Sequence, residues 1–72
     1  MIEVNLRASG ATYVLVRSTS SLRVWTSPTK GNGNEIAFTN NESSALTFPG
    51  SGERTVWVEY VSTSHTTDAT LR

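Results

Sequence analysis

The stretch Arg54-Thr-Val-Trp-Val-Glu-Tyr-Val-Ser62 is the longest run in which β-branched and aromatic residues alternate. In an extended chain successive side chains point to opposite faces, so Val56, Val58 and Tyr60 share one face and Thr55, Trp57, Glu59 and Val61 the other. It reads as a central strand, set off by the turn-forming Pro49-Gly-Ser-Gly52 before it and the polar Ser62-Thr-Ser-His-Thr-Thr67 after it.

Working outward, the same alternation recurs along the chain. Ile2, Val4, Leu6 and Ala8 alternate with Glu3, Asn5 and Arg7, the pattern of a half-buried strand. Thr12 to Arg17 is apolar on both faces through Tyr13, Val14, Leu15 and Val16, which suggests deep burial or an interface. Leu22, Val24 and Thr26 alternate with Arg23 and Trp25 in a third strand that ends before Pro28. Glu35 to Thr39 is a fourth, with Ile36 and Phe38 on one side. The loop between them contains Asn32-Gly33, a dipeptide that tolerates positive φ, so strands three and four are expected to form a hairpin with a long loop. Asn40-Asn-Glu42 is a further turn, Ser44 to Phe48 a short fifth strand, and Ala69 and Leu71 begin a seventh alternation that stops abruptly, as in a chain cut close to its last strand.

No dozen-residue window keeps a helical apolar period, and Ser, Thr, Val and Asn dominate. The expected fold is therefore a single all-β domain over residues 1–72, a small antiparallel β-sandwich of about seven short strands. Its expected core is Ile2, Val4, Leu6, Val14, Val16, Leu22, Val24, Ile36, Phe38, Leu46, Phe48, Val56, Val58, Tyr60 and Leu71.

Composition narrows the function classes. The 72 residues carry six basic and six acidic side chains, a net charge of zero, with the basic residues scattered one to a segment. Such a chain has no field for polyanions, so nucleic acid is a poor partner. No cysteine is present, which excludes disulfides and thiolate metal sites. No apolar run reaches the roughly 20 residues of a membrane-spanning helix. His65 lies beside Ser62, Ser64 and Asp68 in one loop, whereas a catalytic triad draws its members from separate segments, so no enzyme is expected. Gly31-Asn-Gly-Asn-Glu35 offers one carboxylate, too few for a calcium loop, and neither metal nor cofactor is expected. The acceptor-like triplet Asn41-Glu-Ser43 is of a kind that arises often by chance and is set aside.

Three pieces, Leu22-Arg-Val-Trp-Thr-Ser-Pro-Thr-Lys30, Ala45-Leu-Thr-Phe-Pro49 and Thr55-Val-Trp-Val-Glu-Tyr-Val61 with Asp68-Ala-Thr-Leu71, together resemble the immunoglobulin-like repeat modules of large bacterial secreted and surface proteins. A more distant likeness is to the middle immunoglobulin-like domain of protein-arginine deiminases. Such repeats tend to carry glycine where this chain has Tyr60, and there is no inter-sheet cysteine pair. The resemblance implies an immunoglobulin-like sandwich acting as a non-catalytic structural or interaction module, a spacer or adhesion unit, in a larger extracellular or cell-surface protein. Its partners would be neighbouring domains or other protein chains.

Two alternatives remain open from the residues themselves. If Val24, Val56 and Val58 face the core, Trp25 and Trp57 face outward together, and with Tyr13, Arg23 and Glu59 they could bind a glycan or another ligand. Open sheet edges would instead suit a small self-assembling virion or phage subunit, a homo-oligomer.

Overall fold

The computed structural model describes residues 1–8, 12–18, 21–61 and 69–72. Among these residues there are seven strands: β1 (Ile2–Arg7), β2 (Thr12–Arg17), β3 (Leu22–Trp25), β4 (Phe38–Thr39), β5 (Glu42–Thr47), β6 (Glu53–Tyr60) and β7 (Ala69–Leu71). They form two antiparallel sheets, one of three strands in the order β1-β6-β3 and one of four in the order β4-β5-β2-β7. The expected all-β sandwich is the observed architecture, and β6 is the central strand of the smaller sheet.

The core between the sheets holds Leu6, Leu15, Leu22, Val24, Ile36, Leu46, Phe48, Val56 and Val58, with Val4, Ala8, Tyr13, Phe38, Tyr60 and Leu71 packed against them. Two expectations fail here. In β2 the inward residues are Tyr13 and Leu15, the latter 1% exposed, whereas Val14 and Val16 are half-buried and belong to the other face. Because four consecutive residues are apolar, the period of two does not select a face; the cross-strand partners do. Ile2 shares a face with its partner Val58, yet it is 51% exposed against 6% for Val58, because the cover over β1 runs out toward its first residue.

The register of β2 on β5 shifts between Val14 and Val16, a bulge that brings Ser43 inward. Ser43 is buried, its Oγ accepts the Leu15 N–H at 2.9 Å, and its hydroxyl donates to the Ser44 carbonyl at 2.7 Å. The hydroxyl satisfies a main-chain donor that the bulge deprives of its ladder partner.

The segment after β3 also departs from the sequence reading. Thr26 N–H donates to the Asn34 carbonyl and Ile36 N–H to the Val24 carbonyl, both at 2.8 Å, so the start of the segment does close on β3 as a hairpin would. Its only bridge in that sheet joins Glu35 to Trp25, and the chain then crosses, so that β4 pairs with β5 in the other sheet. The Asn32-Gly33 loop is closed by right-handed bonds from Asn34 and Glu35 N–H to the Gly31 carbonyl. Left-handed backbone appears instead at Asn40 (φ 52°) and Asn41 (φ 66°), the two-residue turn of the β4–β5 hairpin, where the primed turn matches the twist of the strands.

The strand order departs from that of an immunoglobulin domain. In that arrangement strands one, two, five and four share a sheet and strands three, six and seven the other. Here β2, β5 and β4 keep one sheet and β3 and β6 the other, but β1 takes the place beside β6 and β7 the place beside β2. The first and last strands have exchanged sheets.

Candidate functional site

The outer face of the three-stranded sheet carries the residues singled out from the sequence. Arg23 pairs with Glu59, Trp25 with Trp57 and Trp57 with Glu3, all on the side opposite Val24, Val56 and Val58. Alternation thus sends both tryptophans outward. It does not leave both available. Trp25 is 2% exposed, and Trp57 is half-buried.

What covers Trp25 is a cluster of paired charges. The Arg23 guanidinium lies 5.0 Å from the ring centroid and Lys30 Nζ 5.4 Å, within cation–π range. Arg23 Nε and NH2 donate to the two carboxylate oxygens of Glu35 at 2.7 and 2.6 Å, a two-point fork. Lys30 donates to Glu59. The hydrogen bonds from Arg23 hold the Glu35 carboxyl below its usual range, against the opposing effect of desolvation, and raise the Arg23 guanidinium in turn. The Lys30 hydrogen bond does the same to Glu59. Two cations and two carboxylates cancel, and their hydrogen-bonding capacity is turned on one another. The cluster clasps the long β3–β4 loop to the sheet, with Asn34 Nδ2 bonded to the Thr29 carbonyl at 3.0 Å completing the loop.

Tyr13 does not join this group. It lies on the inner side of the other sheet, edge-on to Phe48 with centroids 5.7 Å apart and planes at 87°. Of the ligand set Trp25, Trp57, Tyr13, Arg23 and Glu59, the fold brings together all but Tyr13, and it buries Trp25. Lys30 and Glu35 were not expected in the set. Their signal in the sequence is faint: opposite charges at the two ends of a loop that follows an arginine and a tryptophan on one strand face.

Elsewhere, an open depression of about 470 Å³ beside the β4–β5 hairpin is lined by Ala37, Thr39, Asn40, Glu42, Ser43 and Ser44. Its one carboxylate, Glu42, is paired with Arg72. Among the described residues no three His, Cys, Asp or Glu side chains gather as metal ligands. His65, with Ser62, Ser64 and Asp68, lies outside the described residues.

The remaining surface of note is main chain. Ala8 N–H donates to the Gly52 carbonyl at 2.8 Å, which sets the phase of the β1–β6 ladder: even-numbered residues of β1 turn their N–H and C=O toward β6. Those of Glu3, Asn5 and Arg7 therefore point away, along an edge that no described strand occupies. The opposite edge of that sheet, β3, is covered by residues 34–36, while the outer strands of the other sheet, β4 and β7, span only two and three residues. Met1, Ile2 and Val61, the large apolar residues most exposed among those described, stand at the end where β1 begins and β6 finishes.

Comparison with protein-family models, curated proteins and solved structures gives no match to this chain.

Proposed function

We propose that the chain is a non-catalytic interaction module, of the spacer or adhesion type found in larger extracellular or surface proteins, and that it engages protein through the β1 edge. The open edge carries this reading. A strand edge whose Glu3, Asn5 and Arg7 main-chain groups meet no partner among the described residues is a template on which a second strand adds by main-chain hydrogen bonds. The aromatic and charged side chains of the neighbouring face support it from the other direction, since they are committed to holding a loop. The carbohydrate alternative is left with Trp57 alone, because the Trp25 ring is covered.

Amide hydrogen exchange of the dilute chain tests the reading. The N–H groups of Glu3, Asn5 and Arg7 should exchange fast and those of Val4 and Leu6 slowly. Equal protection at all five positions would mean that the edge is already closed, and the reading would fail.

A further inference from the structure

We propose that the partner of the β1 edge is β1 of a second copy, paired antiparallel about a two-fold axis through Asn5. This inference deepens the edge-docking reading above and rests on it. Three observations select the occupant.

The first is hydrogen-bond phase. The edge-facing groups belong to odd-numbered residues, so a second β1 joins in phase only where odd residues lie opposite odd residues. Placing Asn5 opposite Asn5 of the other copy meets that condition. Glu3 then stands opposite Arg7 of the second copy, twice by symmetry.

The second is charge. Glu3 and Arg7 are exposed and share the outer face with Asn5, so this register forms two opposite-charge pairs across the new ladder. The next allowed register, one step along, sets Glu3 opposite Asn5 and leaves Glu3 and Arg7 only diagonal to each other, a more distant pairing across the ladder. Arg7 already touches Glu53 at 3.2 Å, but its side chain is 77% exposed, and a guanidinium with five donors reaches two carboxylates.

The third is the inner face. Val4 would lie against Leu6 of the second copy and Ile2 against Ala8, which covers the inward-facing Ile2 that the monomer leaves 51% exposed. Strand addition is the same operation on both copies, so the interface closes on itself and yields a discrete dimer with a continuous six-stranded sheet. It does not propagate into a filament.

Sedimentation velocity of the full chain across roughly 1 μM to 1 mM, a span that covers weak strand-edge association, provides the test. The wild type should show a concentration-dependent monomer–dimer equilibrium. Asn5→Pro removes an edge-facing donor without touching the β1–β6 ladder and should sediment as a folded monomer. Glu3→Arg and Arg7→Glu each set like charges opposite one another and should weaken the dimer by on the order of tenfold. An equimolar mixture of those two variants restores both opposite-charge pairs in a heterodimer and should recover association, which a folding defect would not do. A wild type that stays monomeric while its Glu3, Asn5 and Arg7 amides exchange freely would overturn the dimer and leave the edge-docking reading standing. A dimer that survives Asn5→Pro, or a mixture that fails to re-associate, would overturn it equally.

Discussion

Gly52 is the position where one added methyl group should do the most harm. Its φ is 75°, its N–H donates to the Pro49 carbonyl and its carbonyl accepts the Ala8 N–H, both at 2.8 Å, so it ties the turn before β6 to the end of β1. A Cβ built there would lie 2.5 Å from the Ala8 carbonyl oxygen. Left-handed backbone costs an L-residue about 1–2 kcal/mol. Relieving the contact requires Ala8 to move, which strains or breaks its hydrogen bond to Gly52, a further ~0.5–1.5 kcal/mol. Gly52→Ala should therefore cost about 1.5–3.5 kcal/mol, a large share of the roughly 4–11 kcal/mol expected of a chain this size. With about 4–8 °C lost per kcal/mol, Tm should fall by about 6 °C or more. Urea unfolding followed by tryptophan fluorescence measures the loss directly. Gly50→Ala is the control, since a Cβ there meets nothing within 4 Å and its backbone is not left-handed; it should be neutral or slightly stabilising. A Gly52→Ala protein within about 0.5 kcal/mol of wild type, the usual scatter for surface changes, would refute the argument.

Ser43→Ala leaves the buried Leu15 N–H without its acceptor and should cost about 1–3 kcal/mol in the same assay. Trp25→Ala removes the ring that Arg23 and Lys30 cover and should cost about 3–5 kcal/mol, while Trp57→Ala, from a half-buried site, should cost distinctly less. The Glu35 carboxyl is held low in the folded chain, so protonation favours the unfolded state. Its contribution is present above the ordinary carboxylate range and is lost as pH falls through the depressed folded value. Glu35→Gln should flatten that acid limb of the stability–pH curve and lower stability at neutral pH, with the difference shrinking in high salt.

Much of the fold was legible because alternation is a direct reading of which side of a pleated strand meets water. It placed β1, β3 and β6 correctly, including the outward tryptophans, since polar residues mark one face in each. It failed in β2, where Tyr13, Val14, Leu15 and Val16 offer two apolar faces and the choice is made by packing against the other sheet. The bulge at Ser43 was hidden for a related reason: Ser43 and Leu46, three residues apart, both turn inward, a spacing no regular strand produces. Asn32-Gly33 promised a mirror-image turn, but a long loop needs no such twist, whereas the tight β4–β5 hairpin needs it at Asn40 and Asn41. At the candidate site, the sequence revealed that Arg23, Trp25, Trp57 and Glu59 share a face. It did not reveal that the loop carrying Lys30 and Glu35 folds back over Trp25, because that depends on pairings between residues in different segments.

The exchange of the first and last strands between sheets has a consequence for how the chain reaches this state. Only β4 and β5 are sequence neighbours within one sheet; every other pair of consecutive strands switches sheets. The β4–β5 hairpin and the closure of residues 34–36 on β3 can therefore form early, and each remaining ladder must await partners from far along the chain, most of all β2 with β7 and β1 with β6, roughly fifty residues apart. Loop-closure entropy falls due before those contacts can offset it, so folding belongs on the millisecond-to-second timescale of non-local β topologies. Once formed, neither sheet can fold or unfold without the other, because the chain stitches them together at almost every turn.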